Sequence, residues 1–192
     1  MDALDLIVNR ASVPPRLFEE TPLGEAVLEQ IFATIVTAPD HGLVRPYRFL
    51  TIQGDAREAL GDVFAEAVSR RMPDAEPGMI EKDRQKPLRS QTLVAVIACI
   101  TPDHPKAPEM EQILTAGMAG YNMILAAQAM GYGGIWLTGA PTYDAHVQAA
   151  LKIGKNETLL GFIYLGQPKR DFKAPRRPDW RDYFSAWGQA ED

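Results

Sequence analysis

Apolar residues recur at helical spacing along much of the chain, and short continuous apolar runs separate these segments. Apolar positions three and four residues apart indicate an amphipathic helix, whereas a short run rich in valine and isoleucine indicates a buried strand. The helical pattern predicts helices at residues 2–10, 25–38, 56–70, 109–130 and 143–151. The apolar runs predict strands at residues 47–52, 92–100, 135–137 and 157–166.

Three of these segments, and a further short helix at residues 79–86, differ in their expected surroundings. Residues 92–100 are apolar throughout, which is typical of a strand covered on both faces, so we place this strand at the centre of the sheet. The helix at residues 25–38 is expected to be mostly buried. Residues 79–86 are short and charged, and they predict a mobile, solvent-facing helix. Interleaved alanines and glycines in the helix at residues 109–130 indicate close packing of another helix, as at the centre of a dimer.

The pattern predicts one α+β domain over residues 1–192, with no internal repeat and no long linker. Residues 171–192 form a C-terminal tail that combines basic residues with four aromatic ones, Trp180, Tyr183, Phe184 and Trp187. Exposed aromatic side chains at a terminus would favour aggregation. We therefore expect the tail to dock on this subunit or on a partner.

Composition narrows the function classes. The chain has 192 residues, 46% of them apolar and 23% charged, which suits a globular domain with a sizeable core. A net charge of −5 argues against nucleic-acid or anionic-membrane binding, because both require a dense basic face. The acidic N-terminus and the lack of a long apolar run predict neither a signal peptide nor an anchor, so a cytoplasmic location is expected.

Neither the cysteine nor the histidines indicate a metal site. Cys99 is the only cysteine, which excludes an intramolecular disulfide and a multi-thiolate site, and its apolar neighbours predict a core position. The sequence Pro-Asp-His occurs at residues 39–41 and again at 102–104. It lacks the helical His-x-x-x-His spacing or the compact carboxylate cluster of a metal centre, so we assign no metal.

The strongest candidate for a ligand site is the stretch Gly131-Tyr-Gly-Gly-Ile-Trp-Leu-Thr-Gly139, which follows the longest helix. Its glycines allow positive φ and a close approach of the backbone to a ligand, although the same pattern also marks a plain helix end and turn. A nicotinamide-binding Rossmann loop is disfavoured, because such a loop follows a strand and precedes a helix. Arg10 and Ser12 on one loop, and His41 and Arg45 on another, are further candidates for ligand binding, or are surface residues.

Four motifs in order resemble the nitroreductase family over nearly the whole chain. They are the opening Met-Asp-Ala-Leu-Asp-Leu-Ile-Val-Asn-Arg-Ala-Ser, then Ala38-Pro-Asp-His41 with Arg45-Pro-Tyr-Arg-Phe49, then Gly131-Tyr-Gly-Gly-Ile-Trp136, and finally Gly161-Phe-Ile-Tyr-Leu-Gly-Gln-Pro168. The likeness is greatest to the small bacterial branch of the family. It implies a mixed, mainly antiparallel sheet flanked by helices, an intertwined homodimer, and one FMN at each of two inter-subunit sites.

The resemblance also implies which residues hold the cofactor. The segment after the first helix carries over to Arg10, Ala11 and Ser12, and the segment after the glycine turn to Trp136, Leu137 and Thr138. A loop of the partner subunit carries over to Thr37 and His41, and a basic residue near the phosphate to Lys169 or Arg170. No catalytic side chain is implied, because hydride passes from NADH or NADPH to flavin N5 and then to a nitro, quinone or related acceptor in a ping-pong cycle.

Three positions depart from the family pattern. Relatives of this branch often have arginine where this chain has Ala11, Thr37 and Leu137. Each charged hydrogen bond to phosphate contributes roughly 1.5–3 kcal/mol, so FMN binding would need replacement cations. Candidates are Arg16, Arg45, Arg48 and Arg170. The alternative function is a flavin-free or weakly FMN-binding dimer that acts as a small-molecule binding or interaction module.

Overall fold

The structure of the protein is a computed structural model, and it describes residues 2–188. Seven α-helices lie in this part of the chain: α1 Ala3–Val8, α2 Glu25–Ala33, α3 Asp55–Arg71, α4 Pro77–Arg84, α5 Glu109–Ala129, α6 Ala140–Tyr143 and α7 Ala145–Ala150. The four strands are β1 Tyr47–Ile52, β2 Thr92–Cys99, β3 Gly133–Leu137 and β4 Glu157–Gly166. Each predicted strand is therefore confirmed. None of the described helices combines the length and apolarity needed to cross a membrane.

The four strands form one sheet in the order β1-β2-β4-β3. β2 is an interior strand and its first seven residues are buried, which confirms its predicted central position. All three pairings between the described strands are antiparallel, so the prediction of a mainly antiparallel sheet flanked by helices is confirmed.

The two faces of the sheet are covered by different helices, because successive side chains of a strand point to opposite sides. On one face, Phe162 of β4 packs with Phe64 of α3, and their ring centroids lie 5.6 Å apart. On the other face, Ile163 of β4 packs with Met123 of α5 and Ile31 of α2. The ends of β3 and β4 therefore lie between two hydrophobic clusters, one on each face of the sheet.

The long helix α5 has one buried face and one exposed apolar face. Its small residues Ala116, Ala119 and Gly120 are buried within the chain, and a Cβ on Gly120 would lie 2.6 Å from the indole of Trp136. These small residues therefore allow α5 to pack closely on the sheet. The exposed face carries Met110, Leu114, Met118 and Tyr121, with Gly117 facing open space.

One expectation about burial is wrong. α2 fully buries only Leu28 and Ile31, while Val27 and Phe32 are partly buried and its other residues are exposed. α4 faces solvent as expected, since five of its eight residues are exposed, but its inner side packs closely on α3: a Cβ on Gly61 would lie 2.5 Å from the carbonyl oxygen of Arg84, and Asp83 is buried. The absence of a side chain at Gly61 permits this approach, and it fixes the position of the segment that follows α4.

The C-terminal tail leaves β4 and forms only a short 3-10 helix, Trp180–Tyr183. Trp180 and Phe184 pack edge to face, with 5.5 Å between their ring centroids. Nevertheless Trp180, Tyr183, Phe184 and Trp187 are all exposed, and Trp187 is completely so. The tail does not bury these four rings on its own subunit, which leaves the partner as the predicted docking surface. Residues 189–192 of the predicted tail lie outside the described residues.

Candidate functional site

The glycine turn joins α5 to β3 as predicted. α5 ends at Ala129, and Gly131 has a φ of 81°, a conformation that favours glycine. Gly133 then pairs with Gly166 across the β3–β4 ladder. A Cβ on either glycine would lie 2.6 Å from a ring carbon of Phe18, so this pair of glycines accommodates the Phe18 side chain.

Phe18 and a few hydrogen bonds fix the N-terminal loop that holds Arg10 and Ser12. The Val13 amide donates to the Gly134 carbonyl at 3.2 Å, and the Ala11 amide donates to the Gln128 side-chain oxygen at 3.1 Å. The Arg10 guanidinium donates to the Ser12 hydroxyl at 3.1 Å. The loop is therefore anchored beside the start of β3, with its cation and hydroxyl held together.

A cavity of about 380 Å³ lies between this loop, the end of α5 and the start of the tail. It brings together two of the predicted site residues, Ala11 and Arg170, with Gln128, Gly131 and Phe172 among the other lining residues. Ala11 is buried and its side chain is small. Arg170 is the cation that lines the cavity on the opposite side, from the tail.

Trp136 does not share a surface with Leu137 and Thr138, because Trp136 and Leu137 are neighbouring residues of β3 and point to opposite faces. The Trp136 indole lies beneath α5 and donates to the Leu160 carbonyl at 3.1 Å. Leu137 and Thr138 instead line a cavity of about 180 Å³ on the α3 side. The Trp136 side chain is thus partly buried and packs against the core beneath α5.

This smaller cavity has an apolar floor and a polar rim. Phe64, Phe162 and Pro141 complete the apolar lining, and Tyr164 contributes a phenol. Burial raises the pKa of Tyr164 to about 12, so the phenol stays protonated and can donate a hydrogen bond.

Two cations on the rim, Lys86 and Arg89, were missed from the sequence. Both residues follow α4. Because the end of α4 packs against Gly61, the segment after it lies beside the cavity. Lys86 also forms an ion pair with Asp83 at 2.6 Å, which limits its freedom. The sequence feature that could have indicated these two residues is the group of basic residues directly before β2, the most apolar strand.

A third cavity, of about 190 Å³, shares Arg89 with the second and adds Arg16 and Lys169 to its lining. Among residues 2–188, no hydrogen bond or ion pair engages the charged groups of these three side chains. Of the proposed replacement cations, Arg16 and Arg170 line the cavities described above, and Arg48 lines a separate one of about 370 Å³ beside β1. Arg48 is also bound to Glu157 by two hydrogen bonds of 2.7 Å, and Arg45 lies in the loop before β1.

Thr37 and His41 lie along α5, away from the N-terminal loop. Thr37 accepts a hydrogen bond from Asn122 at 3.1 Å, and His41 contacts Glu111 at 2.7 Å. Ala11 contacts Gln128, near the other end of α5. With a rise of 1.5 Å per residue, Glu111 and Gln128 are separated by roughly 25 Å along the helix. His41 and Ala11 of one chain therefore cannot contact the same small group.

Comparison with known proteins agrees with this architecture. A sequence model described as the nitroreductase family matches residues 7–167. The chain is 37% identical over 169 residues to the Escherichia coli K12 protein named "Putative NAD(P)H nitroreductase YdjA", with 88% of this chain and 90% of that protein covered.

Two solved structures share the fold at low sequence identity. A nitroreductase-like family protein from Bacillus cereus superposes with a TM-score of 0.83 at 18% identity, covering 98% of this chain and 97% of that one. A mutant of the FMN and NADPH-dependent nitroreductase NfnB from Sphigopyxis sp. strain HMH gives a TM-score of 0.73 at 19% identity, covering 98% and 100%.

Proposed function

The chain belongs to the nitroreductase family of oxidoreductases, and from this premise we propose that it is an FMN-dependent NAD(P)H oxidoreductase that reduces nitroaromatic, quinone or related small acceptors. The name of the Escherichia coli relative and the description of NfnB support the choice of reductant and cofactor. The observation that carries the proposal is the pair of adjoining cavities that share Arg89 next to Leu137 and Thr138.

The residues present fit a flavin. An isoalloxazine ring needs flat apolar cover on its faces and hydrogen-bond donors at its pyrimidine edge, and the phosphate needs cations. Phe162 and Leu137 supply apolar cover, whereas Lys86, Arg89 and the neutral Tyr164 phenol supply donors. FMN, when bound, supplies the hydride chemistry at N5 in two successive half-reactions.

The protein's own residues would bind the cofactor and set its electrostatic surroundings. Lys86 and Arg89 would hold a flavin ring in this cavity beside positive charge, which would favour the reduced, anionic flavin over the neutral one. Arg10 and Ser12, held by their mutual hydrogen bond, would offer a cation and a hydroxyl to the phosphate, and Lys169 and Arg170, which line separate cavities, would add positive charge. No side chain is required as a nucleophile or general base.

A complete site is proposed to need two chains. Thr37 and His41 would come from the partner subunit, because the length of α5 keeps His41 far from the N-terminal loop of its own chain. The exposed apolar face of α5 is the surface that a second copy would cover. The homodimer would thus bury this face and complete both flavin sites.

The test is a titration of the purified protein with FMN, followed by quenching of flavin fluorescence. We expect tight binding by the wild type, and weaker binding by Arg10→Ala than by Arg70→Ala. Arg70 is a matched control because it is an exposed arginine on α3 that, among residues 2–188, is paired only with Glu66. Equal retention by both variants would contradict the assignment of Arg10 to the site. A wild-type protein that takes up no FMN would favour the flavin-free binding module instead.

Steady-state assays then identify the reductant. The concentration of NADH or NADPH is varied at several fixed concentrations of a nitroaromatic or quinone acceptor, and parallel double-reciprocal lines are expected for a ping-pong cycle. Intersecting lines would exclude that cycle while leaving FMN binding intact.

A further inference from the structure

Residues 10–13, the loop that carries Arg10 and Ser12, alternate between two sides. Ala11 and Val13 are buried, whereas Arg10 and Ser12 are only half-buried. This alternation is typical of an extended segment, in which successive side chains point to opposite sides. The amides of the two inward residues are both bound by the protein: Ala11 donates to the Gln128 side chain and Val13 to the Gly134 carbonyl. These two hydrogen bonds therefore fix the side on which Arg10 and Ser12 lie.

Gln128 ties both this loop and the first helix to α5. Its Oε1 accepts from the Ala11 amide at 3.1 Å, and its Nε2 donates to the Leu6 carbonyl at 3.4 Å. A primary amide is suited to this place, because it offers an acceptor and a donor on one group. α1 buries none of its own residues, so apolar packing contributes little to holding the start of the chain.

We infer that Gln128 is a positioning residue for the flavin phosphate, and that it acts through the backbone of Ala11 by holding Arg10 and Ser12 where they bind that phosphate. This inference rests on the proposed function. The Arg10 guanidinium donates to the Ser12 hydroxyl at 3.1 Å, so the two groups would move together if the loop moved. Hydrogen bonds to a phosphate depend on distance and angle, so a displaced loop would weaken both contacts at once.

Gln112 provides a matched control on the same helix. Its side chain also binds a loop: it donates to the carbonyls of Thr101 and Ala107 at 2.9 and 2.8 Å, and it accepts from the Thr101 amide at 2.8 Å. Gln112 is buried, so removing its amide should cost more stability than removing that of the half-buried Gln128. The two glutamines are 16 residues apart, which is roughly 24 Å along α5.

The experiment compares FMN with riboflavin, which lacks the phosphate, by fluorescence titration of full-length wild type, Gln128→Met and Gln112→Met. Methionine is similar to glutamine in length and helix propensity but lacks the amide. For Gln128→Met we expect the Kd for FMN to rise roughly five- to 20-fold, with the Kd for riboflavin unchanged. Gln112→Met should lower the melting temperature more, yet change either Kd less than about twofold. A purely structural role would instead make the loss of FMN affinity follow the loss of stability.

A double variant tests whether Gln128 acts through Arg10. In an Arg10→Ala background, Gln128→Met should change the Kd for FMN much less than it does in the wild type, because the main group that it positions is gone. If Gln112→Met does not fold, Gln53→Met takes its place as the control, since it loses one hydrogen bond to the Thr92 hydroxyl.

Four results would overturn the inference: no change in FMN affinity for Gln128→Met, an equal loss for FMN and riboflavin, an equal loss of FMN affinity in the control variant, or additive losses with Arg10→Ala. Failure of the proposed function is a separate result, in which the wild type itself would bind no FMN. Because Gln128 is only half-buried and its replacement is uncharged, the variant should fold, and a circular dichroism spectrum that coincides with that of the wild type would verify this.

Discussion

Gly133 and Gly166 face each other across the β3–β4 ladder, and both lie against the Phe18 ring. Because neither glycine has a side chain, the Phe18 ring fits against this pair and anchors the N-terminal loop. A Cβ at Gly133 would also lie 3.1 Å from Val13, so Gly133→Ala should displace the loop and lower the free energy of unfolding by about 1–3 kcal/mol. Urea denaturation measures this loss.

Gly78→Ala is the control for this prediction, because no atom lies within 4 Å of a Cβ there. It should leave stability unchanged or raise it slightly. In a background of Phe18→Ala, Gly133→Ala should have a much smaller effect, since the clashing ring is gone. Additive losses in the double variant would show that Phe18 is not the group that Gly133 accommodates.

Lys86→Gln tests the cation beside the proposed flavin ring. We expect the flavin reduction potential to fall and FMN to bind more weakly, because a positive charge that favours the reduced form has been removed. Lys82→Gln, an exposed lysine of α4 four residues earlier, should change neither quantity. Spectroelectrochemical titration measures the flavin reduction potential of each holoprotein. Equal potentials for Lys86→Gln and Lys82→Gln would contradict the assignment of Lys86.

Met118→Glu tests the exposed face of α5. A charge at the centre of an apolar interface carries a large desolvation penalty, so we expect this variant to be monomeric and to lose FMN. Met79→Glu is the control, since Met79 is similarly exposed but lies on α4. Light scattering measures the mass of each variant. A dimeric Met118→Glu protein would place the interface elsewhere.

The Arg48–Glu157 pair predicts a pH dependence of stability. The hydrogen bond from Arg48 lowers the pKa of Glu157 to about 2, so the pair stabilises the fold fully above the ordinary glutamate pKa of about 4.5 and loses this effect as pH falls toward 2. The pair is partly exposed, and we expect it to contribute about 1–2 kcal/mol.

The matched variant is Glu157→Gln. Its deficit in the free energy of unfolding should be full at pH 6 and should shrink steadily below pH 4.5. Urea titrations of both proteins at several pH values measure the difference. A deficit that stays constant down to pH 3 would show that the charge of Glu157 is not its source.

The strands and the long helix were predictable because burial imposes a pattern of apolar residues on the sequence, periodic where one face is covered and continuous where both are. β2 is the clearest case, since both of its faces are covered and its apolar run is continuous. The course of α4 was not predictable. Its charged surface suggested solvent, whereas its position depends on Gly61, a residue of another helix whose lack of a side chain has no periodic signature.

Only part of the candidate site was predictable, because some of its residues are positioned by contacts between distant parts of the chain. Motifs located the loop at Arg10 and the strand end at Leu137, but Lys86 and Arg89 come from the segment that α4 positions. The direction of the Trp136 side chain depends on strand parity, which a motif does not contain. Gly120 then provides the space beneath α5 that the indole fills.

The separation of His41 and Ala11 along α5 has a consequence for mixed assemblies. If each site takes its N-terminal loop from one chain and His41 from the other, a variant altered at Arg10 and a variant altered at His41 each spoil both sites of their own homodimer. Refolded together, they would form heterodimers in which one site has two altered residues and the other has none. Half of the sites in each heterodimer would then bind flavin normally, so two defective proteins would complement each other in the test tube.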